Sequence, residues 1–302
     1  MPKSIKFIFY MICAFGSLCA EESGLAYLKM PVSARGAATM SVFSQISASP
    51  FGILENPAGL YGSGFQVGMT HSFWFADVRS DALVGSYPAG KWNLGAGVNF
   101  VKIPGIEIRQ TPTTAPAGTI ESQYLTAATG ISYQPFKTLT IGIVSKYVYE
   151  HLYTATAGGF AFDLGGRWLA PSSLDLSFLI SNLGKMQTLQ EERSTFPTTL
   201  KIGILRPEIF TEGPLNVSVG LNLVSIVPTQ RTYIQGGMEV RITEVVNLRA
   251  GFERVGAINR TALGFGIKFG RMQLDYAFIF MPDGLGYPNL LSFSFQPKLA
   301  DK

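Results

Sequence analysis

Along most of this chain, apolar residues alternate one for one with small or polar ones. Leu215, Val217, Val219, Leu221 and Leu223 interleave with Asn216, Ser218, Gly220 and Asn222. A period of two places the first set on one face of a β-strand and the second on the other. Trp92, Leu94, Ala96, Val98 and Phe100 repeat the pattern against Asn93, Gly95, Gly97 and Asn99. Val246, Leu248, Ala250 and Phe252 repeat it against Asn247, Arg249, Gly251 and Glu253, and Leu263, Phe265, Ile267 and Phe269 against Gly264, Gly266 and Lys268. In two further runs, Ile141, Ile143 and Tyr147 oppose Gly142 and Lys146, and Phe160, Phe162 and Trp168 oppose Asp163 and Arg167. Counted this way, strands fall near 64–75, 79–88, 91–103, 123–134, 137–150, 157–169, 173–183, 198–206, 214–227, 231–241, 245–254, 260–269, 271–281 and 288–296. That is about fourteen, most of them close to the ~9–11 residues a tilted strand needs to cross a bilayer.

The connections sort into two kinds. If the first strand starts on the periplasmic side, the inward turns are Ala89-Gly90, Pro135-Phe136, Ala170 to Ser172, Ile242 to Glu244, and Gly270, all short. Pro104 to Ser122, Gly184 to Pro197 and Pro282 to Pro288 then face outward and are longer. Transmembrane barrels have this asymmetry. Two connections run against it: the outward turn near Pro228 is short, and the inward segment 207–213 is long. An even strand count returns both ends to one side.

A soluble β-sandwich also alternates, so the pattern gives an all-β class without naming the solvent of the apolar face. Composition bears on that choice. Hydrophobic residues make up 47% of the 302 and charged ones only 15%, against about 25% in typical soluble domains. Lys3 and Lys6, followed by the apolar run Phe7 to Leu18 and the small residues around Ala20, read as a cleaved export leader over 1–20. Both cysteines, Cys13 and Cys19, lie inside it, so the processed chain has no disulfide framework. The polar face is rich in glycine with scattered charges, which suits a lumen better than the charged outer face of a sandwich. The expected fold is therefore a transmembrane antiparallel β-barrel of about fourteen strands, exported to the cell outer membrane and surrounded by its lipid. Trp74, Trp92, Tyr147, Tyr149, Trp168 and Tyr276 are candidates for interfacial girdles.

Ahead of the first strand stand Ser33-Ala34-Arg35-Gly36-Ala37-Ala38, Ala48, and Asn56-Pro57-Ala58-Gly59-Leu60. Together with Ser181-Asn182-Leu183-Gly184, Leu248 to Phe252 and Leu274 to Phe278, this resembles the PorV/PorQ family of outer-membrane barrels. That family is related to the FadL-type transporters of hydrophobic compounds. The resemblance implies fourteen strands and an N-terminal segment folded into the lumen. It also implies a non-enzymatic role in protein secretion, with secreted proteins or secretion components as partners, or alternatively passage of a hydrophobic small molecule. The expected divisions are a leader at 1–20, a luminal segment at 21–62, a barrel at 63–297 and a tail at 298–302.

Residues that could carry chemistry are sparse. His71 and His151 are far apart and lack metal-ligand spacing, and Gly264/Gly266 and Gly284/Gly286 lack the strand-turn-helix setting of a phosphate cradle. Glu191-Glu192-Arg193 reads as a solvated loop cluster. No catalytic, cofactor or metal site is expected. With a net charge of +4 and no basic run, neither is nucleic-acid binding. The strand phase directs Lys102, Lys146, Asp163, Arg167, Glu239, Arg241, Arg249, Glu253, Lys268 and Asp275 to the lumen. Cross-strand ion pairs account for them most simply; a ligand path or a dock for the luminal segment is the alternative. Asn56, Pro57 and Gly59 read as a structural hinge. Pro57 restricts the residue before it, Gly59 is sterically permissive, and Asn56 can bond local backbone.

Overall fold

The computed structural model describes residues 25–62, 64–109, 116–189 and 192–297. The expected leader (1–20) and tail (298–302) lie outside them. Fourteen strands close into one antiparallel barrel: β1(Gln66–Phe73), β2(Arg79–Ala89), β3(Trp92–Ile108), β4(Gly118–Phe136), β5(Leu139–Leu152), β6(Ala155–Leu169), β7(Asp175–Met186), β10(Thr199–Glu212), β11(Leu215–Ile226), β12(Arg231–Arg241), β13(Val246–Val255), β14(Ile258–Phe269), β15(Met272–Phe280) and β16(Asn289–Phe295). A two-stranded ribbon, β8(Thr188–Leu189) with β9(Glu192–Arg193), belongs to the connection between β7 and β10. Each segment expected from the alternation has its strand, and β1 pairs with β16 to seal the wall. The end at which β1 begins is termed inward.

At two places the strands run well past their expected bounds. β3 leaves β2 at Lys102 but stays paired with β4 to Ile108, so their hairpin stands outward of the wall. β10 leaves β7 at Leu205 and stays paired with β11 to Glu212. Pro104 and Pro207 mark these departures, each at a register shift where one edge is free and the missing N–H is not needed. The long inward segment 207–213 is thus mostly strand, and its turn is tight, with Gly213 at φ 57°.

The apolar set faces out. Leu83, Leu94, Val98, Ile141, Phe160, Leu221 and Leu263 are exposed, while Asn93, Asn99, Ser132, Thr140 and Asn222 are buried. A sandwich would reverse this. A closed wall leaves no sheet edge unpaired, the condition for standing in hydrocarbon. Trp92 and Trp168 are exposed at the inward ends of their strands, and Trp92 lies 4.4 Å from Tyr133, ring to ring. Trp74 departs from the girdle expectation: just before the 3₁₀ turn Phe75–Asp77, it packs with Met281 on the interior cluster around Ala38 and Ile279.

Residues 25–62 fill the barrel. They form 3₁₀ turns at Ala26–Lys29, Phe43–Gln45, Pro50–Ile53 and Pro57–Leu60, and one short helix, α1(Ala34–Ala38). The sequence sets each stop and start. Ser33 caps α1 by accepting from Gly36 N at 3.0 Å. Ser49-Pro50 and Asn56-Pro57 each pair a capping side chain with proline in the first turn. Gly52 and Gly59 touch back to back, since a Cβ on Gly52 would lie 2.9 Å from the Gly59 carbonyl carbon. Near the seam, Ser292 Oγ of β16 accepts from Ala34 N at 2.7 Å and lies 2.6 Å from Thr70 Oγ1 of β1.

Candidate functional site

The interior has three levels. At the outward level, Leu25 and Tyr27 pack against Val101, Val148, Ala157, Ala161, Met186 and Phe196. These wall residues sit in the outward halves of β3, β5, β6 and β7, and Phe196 folds in from the loop after β9. The Tyr27 ring lies 4.7 Å from that of Tyr124, and its hydroxyl is 2.9 Å from Thr126 Oγ1. Burial pushes the Tyr27 hydroxyl well above the usual phenol range. This is an apolar compartment at the outward end of the lumen.

At the middle level the glycines of the polar face act as seats. A Cβ on Gly220 would lie 2.8 Å from Val42 Cγ1, one on Gly237 2.8 Å from Thr39 O, and one on Gly251 2.8 Å from both Ala38 O and Met40 N. These glycines lie on the adjacent strands β11, β12 and β13, so α1 and the chain after it are inlaid in the wall. Across the lumen, Gly142 meets Pro57 at 2.7 Å, Gly97 meets Ile53 at 2.9 Å and Gly68 meets Phe51 at 2.8 Å by the same measure.

At the inward level, charges join the inner segment to the wall. Arg35 donates to both oxygens of Glu239, Nε to Oε2 at 3.0 Å and Nη2 to Oε1 at 2.9 Å. Arg249 bridges Glu239 Oε2 and Asp275 Oδ1, each at 2.6 Å. Burial opposes the charge on Arg35, but Glu239 outweighs it and raises the Arg35 pKa. Arg167 and Asp175 pair at 2.6 Å, and the Arg167 guanidinium stacks over Tyr61, 4.5 Å from its centroid. Glu55 ties the two limbs of the segment together by accepting from Ser33 N at 3.0 Å and Ser33 Oγ at 2.7 Å. Burial raises the Glu55 carboxyl above its ordinary range despite those bonds.

Most of the charged residues assigned to the lumen by strand phase lie there, but in separate groups. Lys146 and Asp163 pair at 2.5 Å with side chains 5% and 1% exposed, beside a register shift where Asn182 takes φ 58°. Asp163 Oδ1 accepts from Asn182 N at 2.8 Å, so this pair holds the bulge. Glu253 accepts from Gln235 at 2.7 Å and pairs with Arg260. Lys268 and Arg241 sit at the exposed inward ends of their strands. Lys102 departs from its expected face: Val101 is the buried neighbour, so Lys102 shares the outer phase of Phe100 and pairs with Glu121 at 2.5 Å on the outward rim. His71 is likewise on the outer face, 2.6 Å from Asp81. Asn56 is fully buried. Its Oδ1 accepts from Ala58 N at 3.0 Å and its Nδ2 donates to Gln45 O at 2.8 Å. Together with Pro57 and Gly59 it forms an interior turn, and the chain leaves through Tyr61 and Gly62.

Two contributors escaped the sequence reading. Arg35 is the one charged residue between Lys29 and Glu55, an isolation that could have marked it as a contact to the wall. Lys201 lines an inner cavity of about 60 Å³ with Glu55, Lys146 and Asn182. Its phase with Thr199 and Gly203, opposite Ile202 and Ile204, placed it inside. A second cavity, about 190 Å³, opens at the inward mouth between Ser44, Glu55, Lys268 and Gln273. Among the described residues no group of three or more His, Cys, Asp or Glu could hold a metal ion.

No family model matches the sequence, and no curated protein does. The fold, however, matches solved structures over nearly their whole length. The Pseudomonas putida toluene transporter TodX is 13% identical with a TM-score of 0.64, over 87% of this chain and 97% of that one. The Ralstonia pickettii toluene transporter TbuX gives 13% and 0.61, over 88% and 98%. A Pseudomonas aeruginosa FadL homologue gives 10% and 0.58, over 88% and 98%. At such identities the likeness is one of fold: a transmembrane fourteen-strand barrel of the outer-membrane type.

Proposed function

We propose that the protein is an outer-membrane channel for small apolar molecules, with the N-terminal segment as its internal gate. The observation that carries this is the outward compartment. Val101, Val148, Ala157, Ala161 and Met186 line an apolar site at the outward end of the lumen, and the chain's own Leu25 and Tyr27 occupy it. A site that holds leucine and tyrosine side chains suits an apolar or aromatic guest once they withdraw. Fold neighbours that include toluene transporters support the same reading. The reading includes export by a leader cut after Ala20, a barrel over 63–297, and no catalysis. N-terminal sequencing of the mature chain should begin at Glu21.

The test is uptake of an apolar fluorescent probe by cells with and without the protein, and with Ala161→Trp, which fills the compartment. Uptake should depend on the protein and fall with Ala161→Trp at equal surface level. Equal uptake in all three strains would overturn the proposal.

A role in protein secretion is the second reading, favoured by how fully residues 25–62 fill the lumen. The outward connections Pro104 to Ser122 and Gly184 to Pro197 would then meet protein partners. Enrichment of exported proteins in a pull-down from detergent extract, with no probe uptake, would move the assignment to this reading.

A further inference from the structure

On the outer face, Arg206 is set within an apolar groove near the inward edge. Two rows of outward-facing residues run side by side across four strands. One is Ile204, Leu221, Gly236 and Phe252, and the other is Arg206, Val219, Met238 and Ala250. Gly236 and Ala250 are small where their neighbours are large, so the surface dips there to form a groove of about 590 Å³. Arg206 stands at its inward end, exposed, with Nη1 donating to the Ser172 carbonyl of the inward turn. Among the described residues no carboxylate lies within ion-pairing distance of it.

A cation on the hydrocarbon face is unfavourable at mid-bilayer and tolerated where headgroups begin. Arg206 is at that level, because Ser172 belongs to an inward turn and β7 starts only at Asp175. The guanidinium is anchored through one nitrogen, which leaves its other N–H groups free for an anion. From Arg206 the groove runs up the wall toward Phe252 without another charged residue in its lining.

We propose that this groove is a site for one phospholipid of the inner leaflet, its phosphate on Arg206 and an acyl chain over Gly236 and Ala250. Charge complementarity selects the occupant, since guanidinium matches phosphate through paired N–H bonds. A groove of about 830 Å³ on the opposite side, around Leu83, Ala96, Val98 and Tyr147, has no charged lining residue and serves as an internal comparison. The proposal rests on the membrane reading of the barrel and is independent of what passes through it.

The test is native mass spectrometry of the delipidated full-length barrel in mild detergent, titrated with phosphatidylglycerol. One saturable lipid per barrel is expected. Arg206→Gln should weaken its retention roughly tenfold, as expected for one lost charge-assisted contact. Arg206→Lys should recover most of the loss, and Gly236→Leu or Ala250→Leu should abolish retention by filling the groove. Ala96→Phe, in the uncharged groove, should change nothing. Equal titrations for all variants, equal loss in Ala96→Phe, or a dimer lost on Gly236→Leu would overturn the proposal. Heat-modifiable gel mobility reports that each variant is a folded barrel. Recovery of the chain in a soluble fraction without detergent would instead refute the membrane reading.

Discussion

Replacing Arg35 by alanine should loosen the inner segment without opening the wall. Arg35 makes two charge-assisted bonds to Glu239, at 2.9 and 3.0 Å, with side-chain exposures of 28% and 12%. Such bonds contribute about 1.5–3 kcal/mol each when buried. Two corrections lower the total: Arg35 is partly exposed, and Glu239 keeps Arg249 at 2.6 Å, so no carboxylate is stranded. Seating should therefore weaken by about 2 kcal/mol, a factor of roughly 30 in the displaced population. A thiol placed at Ala37, which is fully buried, reads that population. Cys13 and Cys19 both fall in the proposed leader, so the processed chain offers no competing thiol. If reclosing is faster than reaction, labelling of Ala37→Cys should speed up about 30-fold with Arg35→Ala. Arg35→Lys should fall between, keeping charge but losing the two-pronged geometry. Labelling within twofold of the parent, in barrels with unchanged heat-modifiable mobility, would refute the latch.

Three further outcomes follow from the interior. Gly251→Val should displace α1 at a cost of about 1–3 kcal/mol from overpacking, because its Cβ would meet backbone at 2.8 Å; Gly166→Val, with nothing within 4 Å, should be neutral in the same labelling assay. Asn56→Ala should leave Ala58 N–H and Gln45 C=O unpartnered and lower the unfolding midpoint by the equivalent of about 2–4 kcal/mol, read by gel mobility against temperature. The raised Glu55 carboxyl makes seating pH-dependent. An acid whose pKa is raised in the seated state binds its proton more tightly there, so seating is firmest below the ordinary carboxylate range and weakens as pH rises toward the raised value. Glu55→Gln should remove that component; an identical pH profile in parent and variant would exclude it.

The wall was legible because every strand has two different solvents, and period two records both of them. Strand ends were less legible. Pro104 and Pro207 look like breakers, yet beyond the wall a strand has a free edge and can carry proline. The contents of the lumen were nearly invisible to periodicity. Residues 25–62 are short capped turns, and their place rests on glycines that belong to other strands, such as Gly142 beneath Pro57 and Gly251 beneath Ala38 to Met40. A glycine on a polar face reads simply as small until its neighbour is known. The Arg35–Glu239 contact joins residues about two hundred positions apart, and beyond the isolation of Arg35 among uncharged neighbours nothing local signals it.

Ser292 has a consequence for how the molecule is made. Its hydroxyl meets Thr70 across the junction of first and last strands and accepts from Ala34 of the enclosed segment. The residues that lie inside precede every wall strand in the chain, and the strand that shuts the cylinder follows the other thirteen, with Ser292 258 positions after Ala34. Once shut, a wall hydrogen-bonded all round leaves only the mouths of the cylinder as a way in for the segment. A segment already in place would instead serve as the mandrel on which the final strand finds its register, with the Ser292 hydroxyl as the shared contact.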